Sequence, residues 1–371
     1  MKEIKKVTVK YNDQIVGYLA MLQNQKIYFQ YADTWLQNGF SISPFSLPLD
    51  NEIHIAPSNN FDGLFGVFQD SLPDGWGELL IRRKLSNQGI NYDKLSPLQK
   101  LYLINSSLGL GALTYIPSFQ DEAIDQDIDL DIIAQASQQI YDNESTNNLD
   151  EICRRGGSSG GARPKVHIID ENNDYWIVKF RCKEDPINIG EEEYNINLLA
   201  KKCGLNVNEC KLFPSKICKG HYGAKRFDRE NNKKIHMISL SSLLETSHRT
   251  PNLDYKILLQ VIKAICNDQD QLYEGFRRMC FNFFIKNKDD HGKNFSFLYD
   301  EVKNSYTLSP AYDLTSTPNK WGHEMAINGK DEAAKGDLIE VAKSAGLNID
   351  KCQTIIDEIE TIIKNKTGFR N

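Results

Sequence analysis

The sequence lacks the marks of several classes of protein. It contains eight cysteines but no CxxC pair and no framework of close, even spacings, which disfavours a zinc site or a set of disulfides. We therefore expect buried free thiols in a reducing cytoplasm. No apolar stretch approaches the ~20 residues that a membrane span requires, and the charged amino terminus has no signal-peptide core. These absences predict a cytoplasmic protein with no membrane contact.

Basic residues are also too few for a broad nucleic-acid-binding face. Lysine and arginine number 44 against 50 acidic residues, and the net charge is −6 with a pI near 5.7, whereas such faces are usually basic. We thus expect no direct binding of nucleic acid. What is present is the composition of a globular protein, with 40% hydrophobic and 25% charged residues. A chain of 371 residues is long enough for two or three lobes.

The most informative stretch is the polar run NKDDHGKNFS at 287–296. Asp289 and Asn294 stand five positions apart, and Asp313 follows in a Tyr-Asp-Leu context. Phosphoryl transfer needs a carboxylate that accepts the proton of the attacking hydroxyl, and an Asn and a second Asp that hold Mg²⁺. The Asp-x4-Asn spacing is that of a kinase catalytic loop. An ordinary turn has a similar composition, but the apolar run before it and the alternating strand pattern after it favour a site.

A glycine-rich run, GGSSGGARPK at 156–165, precedes a predicted strand at 166–169. Glycines let backbone N–H groups approach a phosphate, and the Arg and Lys of the run add positive charge. A second predicted strand at 175–180 carries Lys179 near its end, where a kinase lysine meets the α- and β-phosphates. The run is not a Walker A motif, and a flexible linker has a similar composition. A predicted helix at 191–200 begins with glutamates that could pair with Lys179 or only cap the helix.

The rest of the chain predicts short elements in a regular succession. We expect a hairpin at 7–11 and 15–20, a strand at 27–31, loop and short strand at 35–49, and helices at 76–84 and 97–104. The acidic segment 120–150 predicts a solvated lead-in and a surface helix at 132–140. Further strands are expected at 210–214, at 216–218 and in the polar run 221–229, and further helices at 255–265, 335–344 and 349–363.

These elements group into four parts along the sequence. We expect residues 1–118 to form a small α+β domain, 119–150 an acidic linker with a surface helix, 151–238 a lobe with the glycine-rich loop, and 239–371 a helical lobe with the catalytic stretch. The segment 234–240 would join the two lobes.

Four motifs together resemble the HipA-type serine/threonine kinases, the toxins of HipBA toxin–antitoxin systems. They are SSGGARPK at 158–165, RFDR at 226–229, DDHGKNFS at 289–296 and AYDL at 311–314. The segments SLPL at 46–49, FQDSLPDG at 68–75 and GAL at 111–113 resemble the small domain that precedes the kinase core in these proteins. The likeness covers nearly the whole chain, although ARPK stands where others carry AQEK. It implies an α+β, bilobal protein-kinase-like fold with a small amino-terminal α+β domain and a helical carboxy-terminal lobe.

The resemblance also implies roles for single residues. Asp289 would be the catalytic base, with His291 beside it in the same loop, and Asn294 and Asp313 would bind Mg²⁺. ATP would be held by the glycine-rich loop, by lysines and by the segment between the lobes: Ser158, Ser159, Gly160, Gly161, Ala162, Lys165, Lys179, Ile238 and Leu240. Either Ser158 or Ser159 would be autophosphorylated, which in this family is linked to ejection of the loop and loss of activity.

Partners follow from the same resemblance. The implied target is a protein, an aminoacyl-tRNA synthetase in this family, so the chain would inhibit growth. The implied antitoxin is a small HipB-like helix-turn-helix protein, and nucleic acid would be met only through it. Two alternatives stay open: a nucleotide-binding regulatory module of the antitoxin complex without kinase activity, and a small-molecule phosphotransferase.

Overall fold

The computed structural model describes residues 3–366 apart from residues 24, 58–59, 105–106, 120–127, 232 and 248. The predicted acidic lead-in falls mostly on 120–127 and so lies outside the described residues. The chain divides into two compact units. The first comprises Met1–Glu192, Glu209–Ile238 and Ser242–Thr246, and the second comprises Glu193–Asn208, Ser239–Ser241 and Ser247–Asn371.

The first unit contains a five-stranded antiparallel sheet. Its strands are β1 Lys6–Tyr11, β2 Gln14–Met21, β3 Ile27–Tyr31, β4 His54–Ile55 and β5 Leu113–Ile116, in the order β4-β3-β2-β1-β5. Successive side chains of β1 point to opposite faces of the sheet, and Val7 and Val9 lie on the face that is buried in the core. Asn12 turns the chain between β1 and β2 with a φ of 49°, which asparagine tolerates. The predicted hairpin and third strand are therefore confirmed.

The described part of the same unit also contains α-helices. They are α1 Asp33–Asn38, α2 Gly66–Gln69, α3 Gly75–Asn87, α4 Pro97–Tyr102, α5 Leu130–Tyr141 and α6 Leu149–Gly156. The prediction of loop and short strand from residue 35 onwards missed α1, whose Trp35 is buried against the rings of Tyr11 and Phe40. Packing of that one side chain stabilises a helix too short to be stable alone. Helix α4 begins at a capping box formed by Ser96 and Gln99.

A second antiparallel sheet lies against three of these helices. It consists of β6 Lys165–Ile169, β7 Tyr175–Lys179, β8 Cys210–Phe213 and β9 His221–Lys225, in the order β6-β7-β9-β8. The shared core joins side chains of α3, α5, α6, β6 and β7, among them Trp76, Leu80, Ile140, Ile152, Val166 and Val178. The predicted surface helix therefore exists as α5, with one face buried in this core.

Two strand predictions in this region are wrong. Residues 216–218 form a turn, because the backbone N–H groups of Ile217 and Cys218 donate to Ser215 Oγ at 3.1 Å each. The polar strand predicted to reach residue 229 ends at Lys225. The next residues instead form a buried ion cluster around Asp228. Three short strands follow: β10 Arg229–Glu230, β11 Lys233–Lys234 and β12 Met237–Ser239.

Helices dominate the second unit. Helices α7 Ile189–Lys202 and α8 Leu240–Leu243 contribute residues to both units. The remaining elements are β13 Leu253–Asp254, α9 Tyr255–Ile265, α10 Gln269–Ile285, β14 Ser296–Asp300, β15 Ser305–Leu308, β16 Met325–Ala326, α11 Lys335–Ala345 and α12 Ile349–Lys364. Gly346 ends α11 with a φ of 74°, as is common for glycine at the end of a helix. Among the helices in the described ranges, none has the length and apolar character to cross a membrane.

Candidate active site

The polar run after α10 folds into a compact loop. Lys286 ends the helix in a left-handed conformation, with a φ of 56°, and a single 3₁₀ turn spans Gly292–Asn294. The Asn294 side-chain amide donates to the backbone carbonyl of Asp289 at 2.8 Å. The Asn294 backbone N–H donates to the carbonyl of His291 at 2.9 Å. These bonds hold Asp289, His291 and Asn294, the predicted catalytic and metal-binding residues of this run, in one loop.

Asp290, which the sequence analysis gave no role, anchors that loop. Its carboxylate is fully buried and accepts from the Tyr255 hydroxyl at 2.8 Å and from His323 Nδ1 at 2.7 Å. It also accepts from the backbone N–H groups of Glu324 at 3.0 Å and Met325 at 3.3 Å. Burial and the nearby Asp290 carboxylate raise the pKa of Tyr255 well above its ordinary value, so Tyr255 remains a donor. One buried acceptor thus connects the loop to α9 and to the 323–325 segment.

Asp289 has a different environment from Asp290. Its side chain is partly exposed, and Lys320 Nζ donates to its carboxylate. Lys320 also contacts Glu324 at 2.6 Å. Partial burial lowers the pKa of Lys320, but hydrogen bonds to Asp289 and Glu324 outweigh that effect and raise it above its ordinary value. The protonated amine of Lys320 therefore forms an ion pair with Asp289, the residue that the resemblance assigns as the catalytic base.

Tyr312 brings the Asp313 segment to the same loop. Its hydroxyl donates to the carbonyl of Lys293 and lies 2.6 Å from Ser296 Oγ. Asp313 follows directly, with a φ of 55°, a conformation that few residues other than glycine adopt and that is common at functional sites. The chain neighbours of Asn294 and Asp313 are thus hydrogen-bonded to each other. The two predicted metal-binding residues are placed in one region of the second unit.

The donor set fits Mg²⁺ bound together with phosphates. Mg²⁺ is usually held by one or two carboxylates, with substrate phosphates and water completing an oxygen octahedron. Asp313 and Asn294 supply one carboxylate and one amide oxygen. Across the part of the chain that the structure describes, no group of three His, Cys, Asp or Glu side chains could hold a metal by itself. A site completed by phosphate oxygens does not need such a group.

In the first unit, the glycine-rich loop packs on the start of α3. The N–H of Gly161 donates to the Asp74 carboxylate, and the N–H of Trp76 donates to the carbonyl of Gly161 at 2.9 Å. A Cβ added at Gly77 would collide with the backbone oxygen of Ser159, so this close approach requires glycine. In this conformation a carboxylate occupies the N–H that the phosphate-binding prediction assigns to ATP.

The two candidate phosphoacceptor serines are buried in this arrangement. Ser159 Oγ donates to the carbonyl of Gly156 at 2.6 Å. Ser158 lies beside an open pocket whose polar lining includes Lys84 and Arg154. Ala162 follows on the exposed part of the loop. Either hydroxyl must leave these surroundings before a phosphate can be attached.

The remaining predicted nucleotide contacts are distributed over strands and turns. Lys165 is buried, and its Nζ donates to the carbonyl of Gly160 at 2.6 Å. Lys179 pairs in register with Lys165, and its Nζ lies 5.6 Å from the centre of the Tyr222 ring. Ile238 and Leu240 have buried side chains. The backbone N–H of Leu240 donates to the carbonyl of Phe295 at 2.8 Å, so in this conformation that N–H is not open to a nucleotide.

Three residues that organise these sites escaped sequence reasoning. Asp290 was overlooked because its neighbour Asp289 fitted the kinase spacing. Asp74 and Lys320 were overlooked because each lies far along the chain from the motif that it contacts. The only available signal was the clustering of Asp, Gly and Lys in both turn regions. Such clustering occurs in ordinary turns as well.

Two family models match this chain. The family model for a HipA-like C-terminal domain matches residues 157–366, and the model for a HipA N-terminal domain matches residues 7–116. A protein of Sinorhizobium fredii (strain NBRC 101917 / NGR234), named as a candidate kinase, is 29% identical over 189 residues, with coverage of 47% of this chain and 44% of the relative. A candidate kinase of Haemophilus influenzae is 30% identical over 186 residues, with coverage of 44% and 53%. The chain therefore spans about half the length of the curated relatives it matches.

A solved structure supports the fold. It is the complex of HipA and HipB from the Shewanella oneidensis MR-1 toxin–antitoxin system with its operator DNA. The match has a TM-score of 0.73 at 20% identity, and it covers 96% of this chain and 89% of that one. The predicted α+β, kinase-like fold is confirmed. Because the carboxy-terminal family model alone spans more than half of the residues, the chain belongs to the HipA family.

Proposed function

We propose that this chain is an ATP- and Mg²⁺-dependent serine/threonine protein kinase, acting in the cytoplasm as the toxin of a HipBA-like system. The observation that carries the proposal is the 2.8 Å hydrogen bond from Asn294 to the carbonyl of Asp289. It folds the Asp-x4-Asn run into one loop, and Tyr312 attaches the Asp313 segment to that loop. A base and two metal ligands at this spacing are what phosphoryl transfer requires.

In the proposed reaction, Asp289 orients the attacking hydroxyl and accepts its proton. Bound Mg²⁺ would neutralise the charge of the ATP phosphates, and Asn294 and Asp313 would hold it. Lys320 must give up or share the Asp289 carboxylate when the hydroxyl arrives. Its charge then lies beside the atoms of the transfer, where a cation stabilises developing negative charge. Asp290 keeps the loop in place throughout, and most of the catalytic effect is positioning.

A protein target is supported by the surface next to Asp289. Lys288 Nζ donates to the carbonyls of Lys320 at 2.8 Å and Trp321 at 3.2 Å, which fixes this segment beside the catalytic loop. The Trp321 side chain is nevertheless 95% exposed. An exposed tryptophan on a fixed segment suits an anchor for a protein partner. A sugar or another small substrate would not need such an anchor.

The proposed antitoxin is a HipB-like helix-turn-helix protein. Support comes from the Shewanella oneidensis complex, in which HipA is assembled with HipB and operator DNA. The net charge of −6 fits a chain that meets DNA through its partner rather than directly. The proposed target class is an aminoacyl-tRNA synthetase, carried over from the family resemblance.

Labelling with γ-phosphate tests the proposal. Purified chain is incubated with Mg²⁺ and γ-labelled ATP, and peptides covering 156–165 are examined by mass spectrometry. We expect phosphate on Ser158 or Ser159, with no labelling in the Asp289→Gln variant or in the presence of excess EDTA. A chain that binds nucleotide but never acquires phosphate, or an Asp289→Gln variant labelled at the wild-type rate, would contradict the proposal.

A further inference from the structure

A group of side chains outside the candidate active site has the arrangement of an activated thiol. It lies in the first unit, where the first turn of α5 meets the turn before β9. Asp131 comes from α5, Ser215 and Cys218 from the turn, and His221 is the first residue of β9. The sequence analysis treated the cysteines as buried free thiols and did not connect Cys218 to these partners.

The contacts form a chain from carboxylate to imidazole to thiol. His221 Nε2 lies 2.8 Å from Asp131 Oδ1, and His221 Nδ1 lies 3.7 Å from Cys218 Sγ. A proton on Nε2 satisfies the carboxylate, which leaves Nδ1 as an acceptor for the thiol proton. Ser215 Oγ is a second acceptor for the thiol at 3.3 Å.

Asp131 is held in its charged form. Partial burial raises its pKa, but hydrogen bonds from Ser215 Oγ, from the Lys216 N–H and from His221 outweigh that effect and lower it below the ordinary range. A charged carboxylate stabilises a protonated imidazole, which is the role of the third group in a nucleophile–base–carboxylate triad. The buried His221 ring is fixed on its other side by an edge contact with Phe180, 5.0 Å between ring centres.

Two of the other thiols are deeply buried. Burial raises the pKa of Cys153 and of Cys266 to about 12, which keeps those thiols protonated and unreactive. Cys218 is only half-buried, so a small reagent can reach it.

We infer that Cys218 is a modification site, a nucleophilic thiol activated by His221 and Asp131 and oxidised by hydroperoxides. The thiol proton passes to His221 Nδ1, and the sulfur attacks one oxygen of the peroxide. The S–O bond forms as the O–O bond breaks, and His221 returns the proton to the departing hydroxide or alkoxide. Sulfur is oxidised by two electrons to a sulfenic acid, and the peroxide is reduced to water or an alcohol.

The experiment measures oxidation of each cysteine in the intact chain. Wild-type protein is treated with substoichiometric hydrogen peroxide, sulfenic acid is trapped with dimedone, and the eight cysteines are quantified by peptide mass spectrometry. Cys210 on β8 is the matched internal control, because it is half-buried and lies in the same region. The ratio of the oxidation rate of Cys218 to that of Cys210 is measured in the folded chain and again in concentrated urea, where folding no longer distinguishes the two thiols.

We expect Cys218 to be oxidised about tenfold faster than Cys210 in the folded chain. In urea, we expect the two thiols to be oxidised at similar rates. His221→Gln should remove most of this difference, with circular dichroism verifying the fold. If that variant fails to fold, Asp131→Asn, which keeps the side-chain shape, takes its place and should lower the difference severalfold. Equal rates for Cys218 and Cys210 in the folded chain would overturn the inference. So would an unchanged difference in a folded variant, since burial alone would then set the rate.

Discussion

Replacing Asp290 by asparagine should weaken both the fold of the second unit and phosphoryl transfer. The Asp290 carboxylate accepts four hydrogen bonds, two on each oxygen. Asparagine has one acceptor oxygen and no charge, so two of the four donors lose their acceptor and the other two keep only a neutral one. Each hydrogen bond to a buried charged group contributes about 1.5–3 kcal/mol. Because hydroxyl and imidazole donors can reorient, we expect the free energy of unfolding to fall by about 3 kcal/mol.

The assay follows urea unfolding by circular dichroism and transfer from labelled ATP on the same preparations. Asp300→Asn is the matched control, because Asp300 lies in the same unit and its carboxylate accepts from two local backbone N–H groups, those of Val302 and Lys303. That substitution should change stability by less than about 1 kcal/mol. Displacement of the catalytic loop by the Asp290 substitution should also lower kcat by about 10²-fold.

The reasoning about Asp290 would be refuted by equal stability of the Asp290→Asn and Asp300→Asn proteins. A loss of stability with an unchanged kcat would refute only the positioning role. The buried carboxylate would then support the fold without holding Asp289 in place.

Three further substitutions test other parts of the structure. Asp228→Asn should destabilise the folded chain by about 3–5 kcal/mol at pH 7, because it leaves Arg226 and Arg229 buried beside no carboxylate. Burial raises the Asp228 pKa, but the arginines hold it well below its ordinary value. Its stabilisation is therefore present above the unfolded pKa of about 3.9 and is lost as the pH falls towards the folded value. The difference from wild type, followed by urea unfolding at several pH values, should shrink below about pH 4. Gly77→Ala should push the glycine-rich loop off α3 and increase loop autophosphorylation severalfold in the labelling assay. Trp321→Ala should raise the KM for a serine/threonine peptide library about tenfold, a change of roughly 1.4 kcal/mol.

Each of these substitutions has a matched control. Asp174→Asn breaks a partly exposed ion pair with Lys225 and should cost at most about 1 kcal/mol. Gly336→Ala adds a methyl group where no atom lies within 4 Å and should leave labelling unchanged. Val302→Ala removes a side chain that is 97% exposed and should leave the peptide KM unchanged. Equal effects in any variant and its control would contradict the corresponding prediction.

The sequence was sufficient for elements with a strong local pattern. In β1 and β2, apolar and polar residues alternate, and in α9 and α12 the apolar residues recur with the spacing of a helix. These patterns predicted the four elements, because burial of one face sets the period of the apolar residues. Helix α1 was missed because its stability comes from the packing of Trp35, a tertiary contact. The strand expected at 216–218 failed because Ser215 captures the backbone N–H groups that a strand would need.

The candidate site was predictable only where its residues are close in sequence. Asp289 and Asn294 belong to one loop, so their spacing carries information about their geometry. The partners of that loop, Lys320 and His323, are about 30 residues away. Nothing in a single sequence indicates which distant side chains will meet a loop. Likewise, the polar run 221–229 predicted a strand up to residue 229, whereas mutual pairing allows the side chains of Asp228 and its arginines to be buried.

The most direct test of the account measures ATP affinity and phosphate transfer together in wild type and Asp289→Gln. Calorimetry gives the affinity for Mg²⁺-ATP, and single-turnover labelling of the peptide library gives the transfer rate. The account predicts similar affinities and a transfer rate that falls by at least about 10³-fold in the variant, because Asp289 acts on the hydroxyl and not on the nucleotide. Unchanged transfer in Asp289→Gln, or wild-type protein that binds Mg²⁺-ATP without transferring phosphate, would contradict the central claim.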